Sequence, residues 1–191
     1  MNDITNWLPG VLSNIFDDHD VQLELGRRLA HIDPRIRWEA GPYGDVDLFF
    51  AFSLNFCDDL LPVTETLAMT MPAIEGWQFL GAKPKKRWLA RKLIFRGDEY
   101  LFDDWRYRLV SFNSGEFFDV EFFTFDGGIA EQACADLGTF LASSELGEKL
   151  FMRAIDRVSV STHPRAGEAT IHIDYLYQQI VELLQGEVLS E

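Results

Sequence analysis

Four aromatic-rich segments follow one another between Trp77 and Phe125, and they restrict the fold more than any other feature of the chain. They span residues 77–81, 88–95, 105–112 and 117–125, show a partial period-two pattern, and are separated by turn residues. Asn113-Ser114-Gly115 joins the last two as a hairpin. Such a meander predicts antiparallel pairing. Upstream, residues 35–40 alternate through Ile36, Trp38 and Ala40 and read as a strand, and Gly41-Pro42-Tyr43-Gly44 reads as a turn. Residues 46–54 form a near-continuous apolar run, the pattern of a central strand covered on both faces.

Helical periodicity frames these strands. Val21, Leu25, Leu29 and Ile32 share one face of a helix over residues 20–32, with Asp20 as its cap and Asp33-Pro34 as its stop. Residues 4–16 also read as helical, although Pro9-Gly10 fits a helix interior poorly. A third helix spans 59–71, capped by Asp58 or Asp59, with Pro62 tolerated in a first turn whose amides lack partners. The last third gives a helix over 129–142, a strand over 153–162 and a helix over 171–184. The expected fold class is therefore α+β: a mostly antiparallel twisted sheet of about six to seven strands with helices packed on one face. One domain covers residues 1–191, divided into a helical segment (1–33), a sheet-rich core (34–126) and a C-terminal α-β-α portion (127–191).

With 47% hydrophobic and 14% aromatic residues, the chain has the apolar content to build a core without disulfides. Its two cysteines, Cys57 and Cys134, sit in apolar stretches and read as buried thiols of a reducing compartment. The N-terminus carries neither the basic nor the apolar region of a secretory signal, and no apolar run approaches the ~18 residues needed to cross a bilayer. A cytoplasmic location is expected.

The formal net charge is −14. Such a chain is repelled by phosphate backbones and anionic lipid surfaces, which argues against nucleic acid or membrane as partner; the acidity suits either attraction of a basic protein or solubility alone. The charge is also unevenly placed. Lys83, Lys85, Lys86, Arg87, Arg91, Lys92 and Arg96 form a stretch without an acid. The following stretch is acidic: Asp98, Glu99, Asp103, Asp104, Glu116, Asp119, Glu121 and Asp126, against Arg106 and Arg108. Adjacent strands would let the two stretches partly cancel.

No dinucleotide-binding or phosphate-binding glycine pattern occurs, and no serine lies in a nucleophile elbow. His19, His31, His163 and His172 form no metal-ligand pair, so neither metal nor cofactor is expected. Cys57, between a buried strand and a helix start, is the best nucleophile candidate, but a core thiol explains it more simply. Asp119 and Glu121, two apart on one strand among Phe117, Phe123 and Phe125, are the best acid–base candidates. A two-residue turn would set Arg108 opposite Glu121, so a cross-strand ion pair is the simpler reading there too.

Three runs carry a resemblance: Arg37-Trp38-Glu39-Ala40-Gly41-Pro42, then Met71-Pro72-Ala73-Ile74-Glu75-Gly76-Trp77-Gln78-Phe79, then Ala82-Lys83-Pro84-Lys85. Together with Leu146-Gly147-Glu148 they resemble an uncharacterised bacterial family of cytosolic proteins of this size, over residues 20–184. The matched motifs are turns, a helix stop and a strand start, and the family brings no established activity. In style, an acidic domain without catalytic motifs is similar to immunity proteins that neutralise bacterial toxins by direct binding. The expected function is thus an acidic protein-binding module, with Asp98, Glu99, Asp103, Asp104, Trp105, Glu116, Asp119 and Glu121 at the interface and Trp105 as an aromatic anchor. A hydrolase built on Asp119 and Glu121, or a cytosolic scaffold, is the alternative.

Overall fold

The computed structural model describes residues 2–44, 47–88, 90–95, 97–125 and 131–187. The chain forms two compact units, Met1–Arg87 and Trp88–Glu191. Both mix helices and strands, so the α+β class is met. The single large sheet is not: the described strands fall into sheets of three, two and four strands.

In the first unit, helix α1 (Asn2–Trp7) gives way to two single 3₁₀ turns rather than continuing, because Pro9-Gly10 interrupts the ladder. Helix α2 (His19–Ile32) starts one residue earlier than its periodicity suggests. Its cap is Asp18, not Asp20: the Asp18 carboxylate accepts from the amides of Asp20 (2.9 Å) and Val21 (3.2 Å). Strand β1 (Arg37–Tyr43) runs straight through the expected Gly41-Pro42 turn. It lies at a sheet edge, where a proline's missing N–H costs no ladder bond. Strand β2 (Asp47–Ser53) is central, as its apolar run requires, with Phe50 and Phe52 fully buried. Helix α3 (Leu61–Thr70) carries Pro62 in its first turn, after a 3₁₀ turn over Asp58–Leu60, and no side chain caps it. It leads to β3 (Trp77–Leu80), which pairs parallel to β2 and so does not belong to the expected meander. Gly81 follows because a Cβ there would lie 2.7 Å from the Glu65 Cα of α3.

The second unit opens with a separate ribbon, β4 (Lys92–Phe95) and β5 (Asp98–Leu101), paired antiparallel. Its larger sheet has the order β8-β7-β6-β9, from β6 (Arg106–Phe112), β7 (Phe117–Phe123), β8 (Ile155–Ser161) and β9 (Ile171–His172). Strands β6 and β7 form the expected hairpin, with Arg108 opposite Glu121. The late strand β8 pairs parallel to β7, because helices α4 (Glu131–Leu146) and α5 (Glu148–Ala154) carry the chain back before it begins. Helix α6 (Leu176–Glu187) closes the unit. Phe118, Val120 and Phe122 of β7 and Tyr107 of β6 pack with Leu137, Leu141, Leu176 and Ile180 of α4 and α6 into one core. Helix α4 lies close on the sheet at Gly138, where a Cβ would stand 2.6 Å from a Val160 methyl. The helices thus cover one face of this sheet. Residues 126–130, where the sequence reading starts α4 and places Asp126, lie outside the described residues.

Candidate groove beside strand β5

The acidic stretch does not stay together. Part of it surrounds a groove of about 370 Å3 lined by Glu99, Tyr100, Leu101, Asp103, Asp104, Trp105 and Thr124. Strand β5 forms one wall. A tight turn follows, closed by the Trp105 amide donating to the Phe102 carbonyl at 3.1 Å. Asp103 and Asp104 are exposed on this turn, and among the described residues neither makes an ion pair. The turn is held from behind. The Ile173 amide donates to the Trp105 carbonyl at 3.1 Å, and the His172 ring nitrogen Nε2 lies 2.7 Å from the Asp103 carbonyl.

Trp105 is not the exposed anchor expected of it. It is only 3% exposed, edge-on to Phe102 at 4.9 Å and tilted against Phe122 at 6.0 Å. An indole this size is worth more in the core than in water, and the alternation of β6 sends it inward with Tyr107. It therefore lines the groove from below, and the exposed apolar groups stand beside it. On the outer face of the ribbon Ile94 is 70% and Leu101 63% exposed, flanking a Lys92–Glu99 ion pair of 3.1 Å. That pair is where the basic and acidic stretches do meet across a ladder.

The ribbon is anchored at its base. Arg91, the residue before β4, donates through Nε to Glu145 of α4 at 2.9 Å and through Nη1 to Asp174. Glu145 is 1% exposed, so its charge depends on this partner. Burial of the Arg91 guanidinium works to lower its pKa, but the two carboxylates outweigh it and raise the value. The basic stretch is thus only partly matched to the acidic one, since Arg91 turns to the helical layer.

The remaining expected site residues lie elsewhere. Asp98 is exposed at the start of β5, and Glu116 is exposed in the loop of the β6–β7 hairpin. Asp119 and Glu121 occupy the sheet face opposite the core and line no part of the groove. Glu121 is fully engaged: Arg108 Nη2 donates to its Oε2 at 2.6 Å and Ser161 Oγ to its Oε1 at 3.0 Å. Arg108 also bonds Glu168, and its carboxylate partners raise its pKa, the Glu121 hydrogen bond most. Asp119 Oδ1 is buried without a hydrogen-bond partner.

Cys57 is half-exposed rather than buried, with its Sγ 3.6 Å from the Asn55 carbonyl. It stands just after Asn55 and Phe56, whose φ of 48° and 62° turn the chain outward. The side chain of Cys134 lies outside the described set. His163 packs edge-on against Phe125 at 5.9 Å, apart from the bonds that engage His172. Among the described residues no three His, Cys, Asp or Glu side chains are grouped to hold a metal ion, and no helix is long and apolar enough to cross a membrane. A second groove, about 360 Å3, lies at the start of α2, where Asp18 is already committed to capping.

No protein-family model matches this chain. No curated protein and no solved structure is significantly similar to it either. The site's own geometry therefore carries the functional argument.

Sequence reasoning missed Tyr100, Leu101 and Thr124 as groove residues. It did so because it missed β5, whose leading Asp98-Glu99 is a poor strand former. The one available signal was Gly97 between two short segments, a hairpin connection with φ of +94°.

Proposed function

We propose that this protein is a binding module that engages a basic protein partner through the groove beside β5, in the manner of an immunity protein that neutralises a toxin by direct contact. The observation that carries the reading is convergence. Glu99 of β5 and Asp103 and Asp104 of the turn after it gather along the edge of one groove whose floor is the Trp105 indole. An acidic rim around an apolar floor, with Leu101 and Ile94 exposed alongside, has the composition of a recognition patch. The charge of −14 adds long-range attraction for a cationic partner and repels nucleic acid.

The hydrolase alternative draws on Asp119, whose buried Oδ1 is unpartnered. It is the weaker reading, because both Glu121 oxygens already accept hydrogen bonds, from Arg108 and Ser161.

The test is a paired capture from the native cell with wild-type protein and Asp103→Lys/Asp104→Lys. A stoichiometric partner retained by the wild type at low salt, released by added salt and lost by the variant is the expected result. Equal recovery by both proteins removes the groove from the reading.

A further inference from the structure

The backbone of β5 gives the groove a more specific use than charge. The Phe102 amide donates to the Arg91 carbonyl at 2.8 Å. In an antiparallel ladder the residues that bond across the pair alternate. With 102 facing 91, and Tyr100 opposite Leu93 and Asp98 opposite Phe95, residues 98, 100 and 102 turn their amides and carbonyls toward β4. The N–H and C=O groups of Glu99 and Leu101 therefore point away from β4. Among the described residues, no strand pairs with that edge and no backbone bond satisfies those four groups. The groove is lined by the same two residues.

Resting on the proposed binding role, we infer that the partner presents an extended basic segment that adds to the open edge of β5 as an antiparallel third strand. Side-chain alternation defines the segment. On β5, Glu99 and Leu101 face outward with Lys92 and Ile94, while Tyr100 and Leu93 pack toward the core. An added strand continues both faces. Its residues beside Glu99 meet carboxylates and are lysine or arginine. Its residues beside Tyr100 reach toward the Trp105 floor and are apolar. The open edge of β1 differs, because it carries Pro42, which interrupts its row of donors. The acids of β5 also repel a second copy of the same edge, so the edge is selective for a basic strand over self-pairing.

The probe is a fluorescein-labelled peptide of alternating lysine and valine, capped at both ends. Antiparallel pairing with the outward groups of Glu99 and Leu101 uses the amides of the residues directly opposite, which are the lysines. We expect saturable binding by fluorescence anisotropy. A version N-methylated at its lysine amides should bind at least about tenfold more weakly, and a version N-methylated at its valine amides should bind as the parent does. Charge and side chains are the same in all three. On the protein side, Leu101→Pro removes one outward donor without touching the β4 ladder and should also weaken binding about tenfold. Amide hydrogen exchange of the wild type should slow at Glu99 and Leu101 when the parent peptide is added. The inference is overturned if the lysine-methylated peptide binds as tightly as the parent, or if the parent does not bind at millimolar concentration. In either case, continued loss of the cellular partner by Asp103→Lys/Asp104→Lys would leave the acidic binding role standing without the added strand.

Discussion

At the scale of single residues, the pair Arg91–Glu145 is a demanding arrangement in the second unit. A carboxylate 1% exposed is stabilised by one guanidinium, which also reaches Asp174. Removing the cation strands a buried charge. Arg91→Ala should therefore destabilise the protein by about 3 kcal/mol in urea denaturation, more than a surface ion pair is worth. Tyr107 behaves differently. Its hydroxyl donates to Gln179 Oε1 at 2.6 Å, and burial pushes its pKa well above the usual phenol value. The folded protein holds that proton more tightly than the unfolded chain, so the stabilisation is complete below the unfolded phenol's range and is lost as pH rises above it. Tyr107→Phe should cost about 1 kcal/mol at neutral pH and flatten the alkaline limb of a stability–pH profile. Glu24 has the opposite sign. The hydrogen bond from Arg27, foremost, together with that from Arg28, holds its carboxyl at about 2. Its contribution is present above the ordinary carboxylate pKa and fades as pH falls toward 2, which a carbon-detected NMR titration of Glu24 would read directly.

At the scale of elements, legibility followed the strength of local patterning. The β6–β7 hairpin was readable down to the Arg108–Glu121 register. Its loop holds four residues, Asn113 to Glu116, instead of two, and adding one residue on each side leaves the register unchanged. Helix α2 was readable because four apolar residues fix one face, yet its cap was misplaced, since Asp18 and Asp20 are equally good caps by composition. What stayed hidden depended on distant pairing. Nothing local in Trp77–Leu80 or Ile155–Ser161 says that each finds a parallel neighbour across an intervening helical segment. The groove was half visible: its acids stood out as a run, while Trp105 was read as exposed because a lone Trp beside two Asp residues gives no sign of the core beneath it. Two close approaches offer a direct check on the packing of these elements. Gly138→Ala places a methyl against the Val160 side chain, which has some freedom to shift, and Gly81→Ala places one against the α3 backbone, which has little. Each should lower stability, by about 1–3 kcal/mol for Gly138→Ala and by more for Gly81→Ala, as read by thermal melting.

At the scale of the whole molecule, the chain divides at Arg87 into two compact units. The second unit buries its own set around Phe118, Val120, Phe122, Leu137 and Ile180. A fragment spanning Trp88–Glu191 should fold alone, giving a cooperative thermal transition by circular dichroism. Non-cooperative melting of that fragment would favour the reading of residues 1–191 as one domain. The meander that dominates the sequence misled at this scale. It implied one broad sheet, whereas residues 77–80 belong to the first unit and residues 92–101 to a ribbon of their own.

The independence of that ribbon bears on how such a protein changes over time. Its outward positions, Lys92, Ile94, Glu99 and Leu101, stand outside the core of the second unit, while Leu93 and Tyr100 on the reverse fasten it in place. Mutations at the four outward positions alter what the surface offers and spare the scaffold. On the proposed binding role, relatives of this chain can vary here at little risk to folding, and divergence among them should be fastest along these few positions.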